Sequence, residues 1–154
     1  MDWRGQGLSE RLLPVREKGH IPDFGVFRSD LRVFMADVVR KRLPGPYLLL
    51  SHSMGGLPAL QSLADGDETY RAAVFTAPMT RLFDGLLRRI GIRVIAQAAT
   101  RVGLSRAAIA GVKEHSMAFE GNFLASDRMR HQRFRELQSA APNATIREPT
   151  YGWV

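Results

Sequence analysis

The spacing of apolar residues along this chain changes several times, and each change marks an element. Residues 1–22 have no period; glycines, Pro14, Pro22 and scattered charge predict loop. Asp23 is placed to cap a helix. Phe27, Leu31, Phe34 and Val38 then recur at steps of four, three and four, which is one apolar helical face. Arg40, Lys41 and Arg42 fall in its last turn, where cations suit the helix dipole, and Pro44-Gly45-Pro46 ends it. Tyr47-Leu48-Leu49-Leu50 is short and wholly apolar, as expected of a parallel strand buried on both faces. Leu57, Leu60 and Leu63 space as a second helix. Ala72-Ala73-Val74-Phe75-Thr76 reads as a second strand, ended by Ala77-Pro78. Helix, strand, helix, strand predicts the α/β class with a parallel sheet.

After Pro78 the pattern becomes helical and basic. Phe83, Leu86, Leu87, Ile90 and Val94 form an apolar stripe. Residues 105–126 have no clear period. Residues 127–139 predict a charged amphipathic helix with Met129, Phe134 and Leu137 as its contacts, and no further strand is expected. No repeat or low-complexity segment interrupts the chain.

Composition narrows the function classes. The 154 residues suit one compact domain, and a hydrophobic share of 45% is that of a globular chain rather than a disordered one. With no cysteine, disulfides, thiolate-bound metals and cysteine nucleophiles are excluded. Neither a metal nor an organic cofactor is called for. Met1-Asp2-Trp3-Arg4-Gly5 has charge and glycine where a secretory leader needs an apolar run. The most apolar long stretch, Leu86 to Leu104, is broken by Arg88, Arg89, Arg93 and Arg101, so no membrane span is expected.

Most of the net charge of +7 is local. Between Met79 and Lys113, seven cations stand against Asp84 alone. Such a patch suits an anionic partner, lipid or nucleic acid; the plainer alternative is a solvated helix face. Arg128-Met129-Arg130-His131-Gln132-Arg133 lacks the interleaved aromatics of a nucleic-acid surface, so no nucleic acid is expected as a partner. These features place the protein in the cytoplasm, with peripheral contact at the inner membrane through residues 79–113.

The sharpest chemical signal is Ser51-His52-Ser53-Met54-Gly55-Gly56, between the first strand and the helix after it. It approximates the G-x-S-x-G nucleophile elbow. A serine held on a tight strand-to-helix turn projects its hydroxyl, and its neighbours two positions away must be small because strand and helix pack closely. Gly55 meets that need on one side; Ser51 replaces the usual glycine on the other. The N–H of Met54 would face a developing oxyanion at a helix N-terminus. The alternative is a βα turn of small residues without chemistry. A second signal, Asp2-Trp3-Arg4-Gly5-Gln6-Gly7-Leu8-Ser9, describes a tight loop that Asp2 and Arg4 can tie down.

Asp-x-Arg-Gly-x-Gly-x-Ser followed some forty residues later by His-Ser-Met-Gly-Gly resembles the lysophospholipase and monoacylglycerol-lipase branch of the α/β-hydrolases. Phe119-Glu120-Gly121-Asn122-Phe123-Leu124-Ala125-Ser126-Asp127 and the ending Pro149-Thr150-Tyr151-Gly152-Trp153-Val154 are similar to its bacterial lysophospholipase L2-like members. The resemblance covers the whole chain. It implies a central piece of the fold: residues 1–78 as a partial α/β-hydrolase core, with the elbow and one further parallel strand, and residues 79–154 as a helical lid. It implies Ser53 as nucleophile, Met54 as one oxyanion donor, and an acyl ester of lipid or small-molecule type as substrate.

The resemblance also implies that the second oxyanion donor, the triad acid and the triad histidine belong to segments outside this chain. His115 and His131 follow Ser53, and Asp65, Asp67 and Asp84 precede them, so the order Ser, acid, His is formally available. Their place in a lid makes them surface residues instead. Three functions stay open: a serine ester hydrolase whose isolated chain is inactive, a non-catalytic remnant binding anionic membranes through its basic helix, and a peptidase or thioesterase on the same fold. Two parallel strands with open edges also predict an isolated chain that is poorly soluble or molten.

Overall fold

The computed structural model describes residues 1–81, 85–109, 118–120, 122 and 125–153. Phe83, Asp84, Lys113, His115, Gly121, Phe123, Leu124 and Val154, all named above, lie outside them. In chain order the main elements are β1 (Lys18–Gly19), α1 (Gly25–Phe34), a π-helical turn Met35–Val39, α2 (Arg40–Arg42), β2 (Tyr47–His52), α3 (Gly56–Ala64), β3 (Tyr70–Thr76), α4 (Leu86–Arg101), α5 (Arg128–Ala140) and β4 (Glu148–Pro149). Contacts divide them into two compact units, Asp23–Gly91 and, from two chain segments, Met1–Pro22 with Ile92–Val154.

The unit Asp23–Gly91 contains the expected helix-strand-helix-strand order. Asp23 starts α1 as anticipated, its carboxylate accepting from the N–H of Gly25 at 2.8 Å. Phe27 and Leu31 are buried, with Phe24 edge-on to Phe27, and α1 packs on α3. β2 and β3 pair in parallel, Ser51 opposite Phe75 and His52 opposite Thr76. The α3–β3 turn is held by Asp67, which accepts from the Ser62 hydroxyl (2.8 Å) and the Thr69 N–H (3.0 Å). Asp65 pairs with Arg28. Two of the three aspartates that could formally have entered a triad, Asp65 and Asp67, are therefore committed to the scaffold.

The helix expected at Leu57, Leu60 and Leu63 forms, but one expectation fails in this unit, the burial of β2 on both faces. The buried side of α3 carries Gly56, Pro58, Ala59 and Ser62, while Leu57, Leu60 and Leu63 are only half-buried. At Gly56 the close neighbour is Pro78. β2 is covered on one face only. Ser51 is buried, and Leu49 half-buried, beside half-buried Ala73 and Phe75, whereas Leu48 (73% exposed), Leu50 (75%) and Val74 (57%) face outward. Strands of this composition ordinarily have both faces packed. The chain should therefore self-associate in dilute buffer. Leu48→Lys with Leu50→Lys should return it to a monomer by sedimentation velocity; a wild-type chain already monomeric at tens of micromolar, by order of magnitude, would contradict this.

In the other unit, residues 1–22 form an ordered series of turns rather than a featureless loop. Asp2 ties the first turn as anticipated: its carboxylate accepts the Leu8 N–H at 2.8 Å and its carbonyl accepts from the Ser9 hydroxyl at 2.9 Å. Gly7 is needed here, since a Cβ would lie 2.3 Å from the Asp2 carboxylate. β1 and β4 pair in parallel, Gly19 opposite Pro149, so a strand does follow Pro78. It escaped notice because two residues carry no period.

α5 corrects two further expectations. Met129 and Leu137 are exposed, and so is Phe134, while His131 is buried rather than at the surface. Its ring meets Phe119 edge-on, and Arg128 lies over that same ring at 4.6 Å. Asn122 links Phe119 to Ala125 through both ends of its amide, and Asp127 caps α5 by accepting the Arg130 N–H. Within the Phe119–Asp127 motif, Asp127 thus starts α5. The apolar stripe of α4 also faces outward: Leu87 is 85%, Ile90 50% and Val94 57% exposed, and Ala96 is the buried position. Among the described residues no helix is long and apolar enough to cross a membrane.

Candidate active site

The site begins with a backbone conformation. β2 arrives extended through His52 (φ −128°, ψ 142°), and at Ser53 φ swings to +50°. A serine in that region is unusual, because its Cβ crowds the backbone. A short 3₁₀ turn, Ser53–Gly55, then runs into α3. Strand, strained serine and helix N-terminus in direct succession are the geometry of a nucleophile elbow. The strain costs about 1–3 kcal/mol, which the surroundings must hold in place.

Met54 occupies the turn immediately after Ser53, at the helix N-terminus, where a backbone N–H and the helix dipole favour negative charge. Ser51 is buried opposite Phe75, so its small side chain satisfies the packing that glycine would otherwise serve. Gly55 keeps ordinary right-handed helical angles (φ −63°, ψ −17°).

A close approach lies one residue further, at Gly56. A Cβ there would sit 2.6 Å from Cβ and 2.9 Å from Cα of Pro78. Pro78 belongs to the segment after β3, which touches the elbow again where the Met79 N–H donates to the Ser53 carbonyl at 2.8 Å. Ala77 has a positive φ of 44°, so a second non-glycine residue is strained beside the first. Sequence reasoning saw Ala77-Pro78 only as a strand end and missed the contact. The doubled glycine after the serine was the available signal.

The three histidines among the described residues are engaged elsewhere. His52 Nδ1 is 2.9 Å from the Thr76 hydroxyl. His20 Nδ1 is 2.9 Å from the hydroxyl of the buried Thr150; burial, with Arg106 nearby, lowers its pKa from the ordinary histidine value. His131 is packed on Phe119. Among the described residues no group of acidic and histidine side chains is arranged to hold a metal.

Comparison with known proteins agrees with the motifs. The family model described as serine aminopeptidase, S33, matches residues 1–154. Lysophospholipase L2 of Escherichia coli (strain K12) is 32% identical over 161 residues, covering 100% of this chain and 46% of that protein. Probable lysophospholipase L2 of Haemophilus influenzae is 30% identical over 156 residues, covering 99% and 48%. The chain thus spans about half the length of the curated relatives it matches. No solved structure matches significantly. With a family match over its whole length, the chain belongs to the serine aminopeptidase S33 family of α/β-hydrolases.

Proposed function

We propose that Ser53 is the nucleophile of a carboxylic ester hydrolase acting on lysophospholipid or monoacylglycerol. The observation that carries this reading is the positive φ of Ser53 between β2 and α3. Its hydroxyl would attack the acyl carbonyl, the alcohol would leave, and water would release the fatty acid from the acyl-enzyme. The Met54 N–H would stabilise the oxyanion. The lysophospholipases among the relatives support a lipid ester over a peptide. Residues 79–154 are assigned to the lid that shapes the acyl pocket, and residues 1–78 to the core.

A proton acceptor for Ser53 is not supplied by His20, His52 or His131, each held in another contact. No histidine among the described residues is thus placed as its base, and without one the chain alone should show residual turnover, about 10³–10⁴ over the uncatalysed rate at most. A chimera with this chain in place of the matching half of the Escherichia coli relative should hydrolyse lysophosphatidylcholine with the relative's own base. A folded chimera that hydrolyses no acyl ester would sink the proposal.

A second reading concerns location, and the outward stripe of α4 favours it. Leu87, Ile90 and Val94 share one exposed face, and the helix carries four arginines and no acidic residue. This is the layout of a helix lying in a membrane interface, apolar face down and cations toward anionic headgroups. It would bring the enzyme beside its substrate. The chain should co-sediment with phosphatidylglycerol vesicles, less with phosphatidylcholine, and less as salt rises. Leu87→Glu with Val94→Glu should weaken binding at least about tenfold, since each apolar side chain contributes about 1.5–3 kcal/mol. Equal binding to both lipids would argue against it.

A further inference from the structure

The end of β3 and the segment after it meet the elbow through three different kinds of contact. Pro78 packs on Gly56, and the Met79 N–H donates to the Ser53 carbonyl. The third contact is polar and involves a side chain. Thr76 lies directly across the sheet from His52. Its hydroxyl is 3.3 Å from the Ser51 carbonyl and 2.9 Å from His52 Nδ1.

A threonine hydroxyl has one proton. With that proton assigned to the Ser51 carbonyl, which can only accept, His52 donates its Nδ1–H to the threonine oxygen. One side chain thus fixes the carbonyl two residues before Ser53 and both the rotamer and the tautomer of the residue immediately before it. The same arrangement recurs in the other sheet. Thr150 donates to the Gly19 carbonyl at 3.1 Å and lies 2.9 Å from His20 Nδ1, again on the residue after the carbonyl. Its recurrence on both parallel pairs identifies a cross-strand clip. At His52 the clip ends one residue short of the strained serine.

We infer that Thr76 is a positioning residue for Ser53: its hydroxyl clips the last two residues of β2 to β3 and so holds the turn in which Ser53 keeps a positive φ. Thr76 touches no reacting atom and acts only through His52 and Ser51. The inference builds on Ser53 as the nucleophile, but its test does not need turnover.

The experiment is NMR on the full chain, with Leu48→Lys and Leu50→Lys added to keep lines sharp. Three forms are compared: the chain with Thr76 intact, Thr76→Val, which keeps the shape and loses the hydroxyl, and Thr76→Ser, which restores it. Long-range ¹⁵N correlations report the His52 tautomer, assigned by their loss in His52→Gln. The HN–Hα coupling and intraresidue NOE report φ at Ser53. In the two forms that carry a hydroxyl at this position, His52 should be the Nδ1–H form and Ser53 should show a positive φ. Thr76→Val should shift His52 to the Nε2–H form that free imidazole favours and average φ at Ser53 toward negative values. An unchanged His52 in Thr76→Val would overturn the clip. A changed His52 with φ at Ser53 unmoved would overturn the positioning role. Loss of both signatures that Thr76→Ser fails to restore would also overturn it, as a packing effect. Absence of ester hydrolysis, by contrast, would count against the proposed function and leave these readouts standing.

Discussion

Replacing Ser53 by alanine should abolish lysophospholipid hydrolysis in the chimera, lowering kcat by about 10⁴- to 10⁶-fold. The size follows from what is removed. Without the hydroxyl no acyl-enzyme forms, and a single step must carry what two easier ones shared. Binding to substrate vesicles should be unaffected, because the α4 stripe and its arginines are untouched. Fatty-acid release measured alongside co-sedimentation separates the two roles. If hydrolysis survives Ser53→Ala within about tenfold, the nucleophile has been misassigned.

Gly56→Ala should have the largest effect on stability. The added methyl would meet both Cβ and Cα of Pro78 well inside contact distance. Pro78 cannot simply move away, since Met79 beside it is hydrogen-bonded to the Ser53 carbonyl. Overpacking of this kind costs about 3 kcal/mol or more when backbone must shift, a large part of the roughly 5–15 kcal/mol that stabilises a domain. A control is available at Gly91, within α4, where a Cβ would meet nothing within 4 Å. Gly91→Ala should be neutral or stabilise by up to about 1 kcal/mol through helix propensity. Urea midpoints of the three chains decide the matter. If Gly56→Ala unfolds with wild type, the close approach at the elbow is not real.

The parts of this fold that could be read from sequence are those with a local physical cause. Phe27 and Leu31 follow from period, the start of α1 from the Asp23 carboxylate, and the elbow from small residues between an apolar run and a helix. The strained backbone at Ser53 was legible because only a tight turn explains Ser-Met-Gly-Gly in that place. What stayed hidden depends on partners distant in sequence. The Thr76 clip needs β3 to be in register with β2, and β1 with β4 is invisible as a pair of dipeptides. His131 looked like a surface residue because its neighbours are charged; Phe119, on a separate stretch of chain, decides otherwise. Periodicity also shows that a face is apolar without showing whether anything covers it. On that point Leu48 and Leu50 were misjudged.

The pairing of Lys18–Gly19 with Glu148–Pro149 sets a timetable for synthesis. The unit carrying Ser53 is continuous from Asp23 to Gly91, so its contacts can form while later residues are still being added. The other unit includes Met1–Pro22, made earlier still, and cannot close β1 until β4 has left the ribosome. Contacts separated by so much chain are slow to form and expose what they will later bury. During that interval the segment around β1 waits without a strand partner, and a chaperone that shields nascent chains would find its substrate there, rather than at the nucleophile.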